Sequence, residues 1–79
     1  MRIDKFLKVS RLVKRRTVAK EMADQGRIKV NGRVVKSSYD VKIDDIIEVG
    51  YGAKTIKAKV LNIRETTKKA EASELYELV

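Results

Sequence analysis

The chain has 79 residues, with 19 Lys and Arg against 11 Asp and Glu, a net charge of +8, and neither cysteine nor histidine. This excludes disulfides, thiolate metal sites and the imidazole proton shuttle, and allows one small domain that buries roughly 60–65 % of its unfolded surface. No apolar run nears the ~20 residues of a membrane helix and no signal-peptide apolar region opens the chain, so we expect a soluble cytoplasmic monomer.

Residues 3–10, IDKFLKVS, have helical spacing: Ile3, Phe6, Leu7 and Ser10 fall on one side, and Asp4, Lys8 and Arg11 on another. Asp4 falls in the first turn, where a carboxylate meets the positive end of the helix dipole. We expect it to position an arginine or to pair with Lys8 rather than to do chemistry. Leu12 and Val13 then form a buried corner. The spacing of Val18, Ala19, Met22 and Ala23 predicts a second, amphipathic helix. Lys14, Arg15 and Arg16 stand at its start, with no Ser, Thr, Asp or Asn to cap it. Cations there oppose the helix dipole unless an anion docks. Arg16 and Lys20, one turn apart, repel by roughly 0.2–0.5 kcal/mol until solvent or an anion intervenes.

Gly26 suits the left-handed position past a helix end. Arg27, Ile28, Lys29 and Val30 alternate as a strand does, and Asn31-Gly32 is the sequence of a two-residue hairpin turn. Such a turn pairs Val30 with Arg33 and Ile28 with Val35. Ile28, Val30 and Val35 share the apolar face, while Arg27, Lys29 and Lys36 share the other with Val34. Residues 37–45 read as a loop, 46–49 as a short strand, 50–52 as a connection, and 54–63 as a longer strand. In the last, Ile56, Ala58 and Val60 should face the core, with Lys57 and Lys59 outside. Thr66 or Thr67 would cap a final short helix over 68–75, packed through Ala70, Leu75 and Tyr76.

The charge is uneven. Residues 1–36 carry 12 Lys and Arg against Asp4, Glu21 and Asp24, a net of +9, whereas residues 37–79 net −1. A basic half of this kind is the electrostatic footprint of a polyanion binder, weighed here against a lysine-rich solubility surface. No catalytic or metal-binding motif is present, and Asp44 and Asp45, being adjacent, point to opposite faces of any strand. We therefore expect no enzyme, no cofactor and no metal. Phe6 reads as core. Tyr39 and Tyr51 are too few to form a stacking platform, so structured RNA fits better than a single strand. A protein-interaction module with an acidic partner is the reading from another class.

Arg2-Ile3-Asp4, Leu7, Arg16-x-x-Ala19, Gly26-Arg27-Ile28-x-Val30-Asn31-Gly32, Val35 and Asp45-x-Ile47 together resemble the S4 RNA-binding domain. The resemblance covers residues 1–49 and leaves 50–79 as an extension within a single domain. It implies an α+β fold, the αL motif, with two N-terminal helices packed on a small antiparallel sheet. The chain departs from the family pattern at Arg15, where serine is usual, at Asp44, where glycine is usual, and at Ser37-Ser38, which no proline follows. The segments MRIDKFLKVSRLVKRRTVAKEMADQGRI and ETTKKAEASELYEL are similar to the small stand-alone S4 proteins of bacterial ribosome-associated quality control. The heat-shock S4 proteins are similar as well. The first likeness implies 23S rRNA of a free 50S subunit and an obstructed peptidyl-tRNA as partners, with an RqcH-type factor adding alanine tails. It also implies RNA contacts by Arg2, Arg11, Arg15, Arg16 and Lys20, with Asp4 orienting one arginine. Lys8, Lys14, Arg27, Lys29 and Lys36 join them as candidate phosphate contacts, supported structurally by Gly26, Asn31 and Gly32.

Overall fold

The computed structural model describes residues 1–65, 68 and 70–79. Helix α1, Ile3–Val9, buries Ile3, Phe6, Leu7 and Val9. It closes on Ser10, whose N–H donates to the Phe6 carbonyl at 2.8 Å and whose hydroxyl donates to the Leu7 carbonyl at 3.2 Å. Arg11 then turns the chain at φ 63°, and Val13 is buried at the corner. Arg11 therefore leaves the helical register that would have aligned it with Lys8. Helix α2, Arg16–Asp24, buries Ala19, Met22 and Ala23, but Val18, at the border of the apolar stripe, stays 40 % exposed.

The end of α2 is a Schellman motif. Gly26 sits at φ 74°, its N–H bonds to Ala23 O at 3.0 Å, and Arg27 N–H bonds to Met22 O at 2.9 Å. Strand β1, Ile28–Val30, pairs with β2, Arg33–Val34, through Asn31 at φ 52° and Gly32 at φ 85°. Both central residues of the turn are left-handed, as a type I′ turn requires. The register is Val30 with Arg33 and Lys29 with Val34, and Val35 N–H reaches Ile28 O at 3.2 Å.

Segment 37–45 crosses back to α1. Ile3 N–H bonds to Tyr39 O and Val41 N–H to Met1 O, both at 2.8 Å. Buried Asp45 ties this loop to the hairpin. It accepts Tyr39 Oη and Lys42 N–H at 2.9 Å and Asn31 Nδ2 at 3.1 Å, while Ile46 N–H donates back to Asn31 Oδ1 at 3.1 Å. Asp44, just before it, holds φ 75°.

Strand β3, Ile46–Tyr51, β4, Lys54–Val60, and β5, Tyr76–Leu78, complete an antiparallel five-stranded sheet of order β2-β1-β3-β4-β5. The helices cover one face, burying Ile28, Val30, Ile47, Val49 and Val60 against Ile3, Phe6 and Leu7. On the uncovered face Lys29, Glu48 and Lys57 stand side by side across three strands, and Lys57 Nζ lies 3.3 Å from Glu48.

The second half departs from the sequence reading. β3 runs on through Gly50 and Tyr51, and β4 stops at Val60 rather than at 63. The final helix over 68–75 is only a 3₁₀ turn, Ala72–Leu75, with Lys68 and Ala70 exposed outside it. The proposed Thr66 or Thr67 cap lies outside the described residues. Leu75 is fully buried, but Tyr76 opens β5 instead of extending a helix, because β4 offers an unpaired edge to Tyr76, Glu77 and Leu78. Ile56 is on the core side of β4, only half covered.

Two stability predictions follow from these contacts. Asp44→Val should be about 1–2 kcal/mol less stable than Asp44→Gly by urea unfolding, since both lose the Lys59 contact but only valine is strained at positive φ. Tyr51 donates its hydroxyl to the Leu12 carbonyl, and burial, with Tyr76 nearby, pushes its phenol up from 10.0. The folded state thus holds that proton more tightly, a stabilisation fully present below pH 10 and lost as pH rises through the folded value. Tyr51→Phe should cost about 1 kcal/mol at neutral pH and weaken the alkaline loss, read from urea midpoints at several pH values.

Candidate nucleic-acid interface

The centre of the basic half is a carboxylate. Asp4, in the first turn of α1, is 3 % exposed, yet its oxygens reach three donors. Arg2 Nη2 is 3.1 Å from Oδ2, Arg16 Nε is 3.4 Å from Oδ1, and Lys5 N–H donates to Oδ1 at 2.7 Å. Arg2 is the N-cap residue of α1 and Arg16 the first residue of α2, so Asp4 joins the starts of both helices. Both arginine side chains remain 48 % exposed, anchored at one edge and open to an anion elsewhere. The expected Asp4–Lys8 pair does not form. Lys8 and Lys20 point to solvent.

From this centre the cations divide into three groups. Arg2 and Lys36 line a groove of about 590 Å³ with Ser37, Ser38 and Asp24. Arg16 connects to the same group through Asp4, and Lys20 follows one helical turn on. Arg11, Lys14 and Arg15 rim a second groove of about 580 Å³, whose apolar wall comes from Leu12, Val13, Val18, Tyr51 and Ile56. Arg15 occupies the N-cap of α2 and makes no side-chain capping bond. Arg27 and Lys29 stand apart, around a cleft of about 190 Å³ that Glu48 also lines. The structure does not bring Lys29 to the helices, because the alternation that buries Ile28 and Val30 beneath them turns Lys29 to the opposite face.

Several acids of the second half are already paired. Asp44 is 3.7 Å from Lys59 and Glu71 is 3.8 Å from Arg64. Glu65 pairs with Lys5, which holds its carboxyl below the usual range, and the hydrogen bond from the N-terminal ammonium, 2.7 Å away, does the same for Asp40. Among the described residues, Lys8, Arg11, Lys14, Arg15, Lys20, Arg27, Lys29 and Lys36 have no carboxylate within 4.0 Å. Exposed Arg33 at the hairpin, which the sequence reading passed over, also lacks one among the described residues. Tyr39 is no free stacking surface: Lys42 Nζ sits 5.9 Å above its ring, and its hydroxyl is bound to Asp45. Desolvation, with Asp45 next in effect, raises the Tyr39 phenol above 10.0. Among the described residues no group of three acids could hold a metal, and no helix is long and apolar enough to cross a membrane.

Comparison with known proteins bears on this surface. The family model of the S4 domain matches residues 1–47. A Streptococcus pneumoniae protein named RQC P-site tRNA stabilizing factor is 56 % identical over 79 residues, covering 100 % of this chain and 90 % of its own. A Bacillus subtilis protein of the same name is 54 % identical over 79 residues, covering 100 % and 92 %. Among solved structures, Heat Shock Protein 15 of Vibrio cholerae, described as trimeric, superposes with a TM-score of 0.93 at 29 % identity, covering 100 % of this chain and 81 % of its own.

The Asp4 geometry separates positioning from net charge. Asp4→Asn raises the charge by one, which should strengthen binding to any polyanion if charge alone matters. We expect the reverse, a several-fold weaker affinity for a structured RNA hairpin by fluorescence anisotropy, because Arg2 and Arg16 lose their shared anchor. A circular dichroism melt checks that the variant is folded.

Proposed function

The chain belongs to the S4 domain family, and from that premise we propose that it is a non-enzymatic RNA-binding factor of ribosome-associated quality control. In this reading it binds the free large ribosomal subunit in the cytoplasm, holds the obstructed peptidyl-tRNA against 23S rRNA, and supports alanine tailing by an RqcH-type factor. One observation carries the reading: two half-exposed guanidiniums fixed by one buried carboxylate, beside cations that, among the described residues, have no carboxylate within 4.0 Å. The name borne by relatives that match this chain along its whole length supports P-site tRNA as the ligand.

The mechanism is positioning rather than chemistry. Arg2 and Arg16 each spend one edge of the guanidinium on Asp4 and keep the remaining N–H groups for phosphate oxygens, the fork geometry that lysine lacks. Lys20 and Lys36 extend this contact along α2 and into the neighbouring groove as point charges. Arg11, Lys14 and Arg15 offer a second set of contacts about the helix corner. A protein with two such sets can bridge two RNA elements and slow the departure of the tRNA while the tailing factor cycles. Neutralising six or so phosphates makes log K fall against log salt with a slope of about −4 to −5.

A second reading is favoured by the likeness to a heat shock protein: a stress or recycling factor that binds stalled large subunits without a role in tailing. Loss of alanine tails from stalled chains on deleting the gene supports the first reading, and intact tails support the second.

Sedimentation with large subunits carrying peptidyl-tRNA tests the surface. Arg16→Ala should weaken co-sedimentation by about ten-fold or more, the order expected for hydrogen bonds to a charged group. Lys57→Ala, on the uncovered sheet face and already paired with Glu48, should leave it nearly unchanged. Equal losses would overturn the placement, and binding indifferent to salt would overturn the RNA reading.

A further inference from the structure

The groove at the helix corner combines features that phosphate contact alone does not require. Its wall is apolar, built from Leu12, Val13, Val18, Tyr51 and Ile56, and Val18 is 40 % exposed there. Its rim is Arg11, Lys14 and Arg15; no acid lines it, and none of the three has a carboxylate within 4.0 Å among the described residues. Tyr51 comes from β3 and Leu12 from the corner, and the hydrogen bond between them fixes two walls before any ligand arrives. Two rim residues also stand where their local backbone favours another type. Arg11 holds φ 63°, and Arg15 is an N-cap without a capping bond.

An apolar slot ringed by unpaired cations is complementary to an apolar face carried between anions. A nucleotide out of its stack has that composition, a base face with a phosphate on each side. We infer that this groove captures one unstacked nucleobase of a structured RNA, with Arg11, Lys14 and Arg15 meeting the phosphates that flank it. The inference rests on the RNA-binding reading above and gives it a feature to recognise, a bulged or looped-out nucleotide. It also fits the position of the groove, which adjoins Arg16 through Arg15 and so continues the Asp4-anchored surface. An acidic peptide finds the same rim but poorer purchase. Five apolar side chains clustered around one slot do not make the elongated row of anchors that an amphipathic helix needs.

The test uses the full chain and three versions of one short RNA hairpin: a single-nucleotide bulge, the same bulge with an abasic residue, and a fully paired stem. The bulged RNA should bind about ten-fold tighter than the abasic one, in line with the contribution of one stacked base. Val18→Ser, a change at a half-exposed helix position, should bring that ratio towards one while leaving affinity for the paired stem unchanged. Equal, salt-dependent affinity for the bulged and abasic RNAs would overturn base capture and leave the RNA reading standing. Weak, salt-insensitive binding to all three would overturn both. If Val18→Ser keeps the ratio but abolishes retention on large subunits, the groove serves a protein partner and the inference falls.

Discussion

A single buried carboxylate shared by two arginines from different parts of the chain constrains most of what lies around it. Asp4 is nearly sealed from solvent, and a buried charge stripped of its partners costs roughly 3–5 kcal/mol. Arg2, Arg16 and the Lys5 N–H satisfy it together, so the start of α1 and the start of α2 cannot separate cheaply. The Asp4 N–H is also 3.3 Å from the Ser37 carbonyl, which brings the segment after the hairpin against the same helix. The residue that orders the basic surface is thus also a joint of the fold. Anchoring Arg2 and Arg16 on one buried carboxylate keeps their spacing fixed before RNA arrives, so less freedom is lost on binding.

The first half of the chain was largely legible in its sequence because its signals are local. Asn31-Gly32 demanded two left-handed residues and received them, Gly26 closed α2, and the unfilled cap at Arg15 is unfilled in space. Asp44 has the same logic in reverse. It stands where the family pattern has glycine, and it adopts the left-handed backbone that glycine would have taken without strain. Asp4 was recognised as a positioning group, although its choice of Arg2 and Arg16 over Lys8 depends on how the helices pack.

What escaped the reading depends on contacts distant in sequence. Tyr76–Leu78 is too short to show strand periodicity, and its pairing with β4 exists only once β4 offers an edge. Asp45 entered the sequence reading as part of the family pattern, yet it binds Asn31, 14 residues earlier, and Tyr39 at once. Val18 fitted the apolar stripe by spacing, but the stripe is wider than the surface that covers it. The division of the cations was legible only at the hairpin, where alternation sets Lys29 opposite the apolar face; it did not show that Lys36 parts from Arg27 and Lys29 to join Arg2. Alternation along β1 put Lys29 on a different side from Arg16, and no composition argument could say which side the RNA would meet.

The uncovered sheet face has a consequence for how this molecule travels. Lys29, Glu48 and Lys57 form a row of alternating sign, and Lys59 stands opposite Glu77 on the next one, so three lysines are set there against two glutamates. The excess positive charge is therefore displaced from the molecular centre, and the protein carries a permanent dipole. In the field of a large polyanion a dipole of that kind feels a torque, and rotational diffusion becomes biased before contact. A body of 79 residues would then arrive with its helices forward in most encounters, and fewer collisions would be wasted on the wrong side.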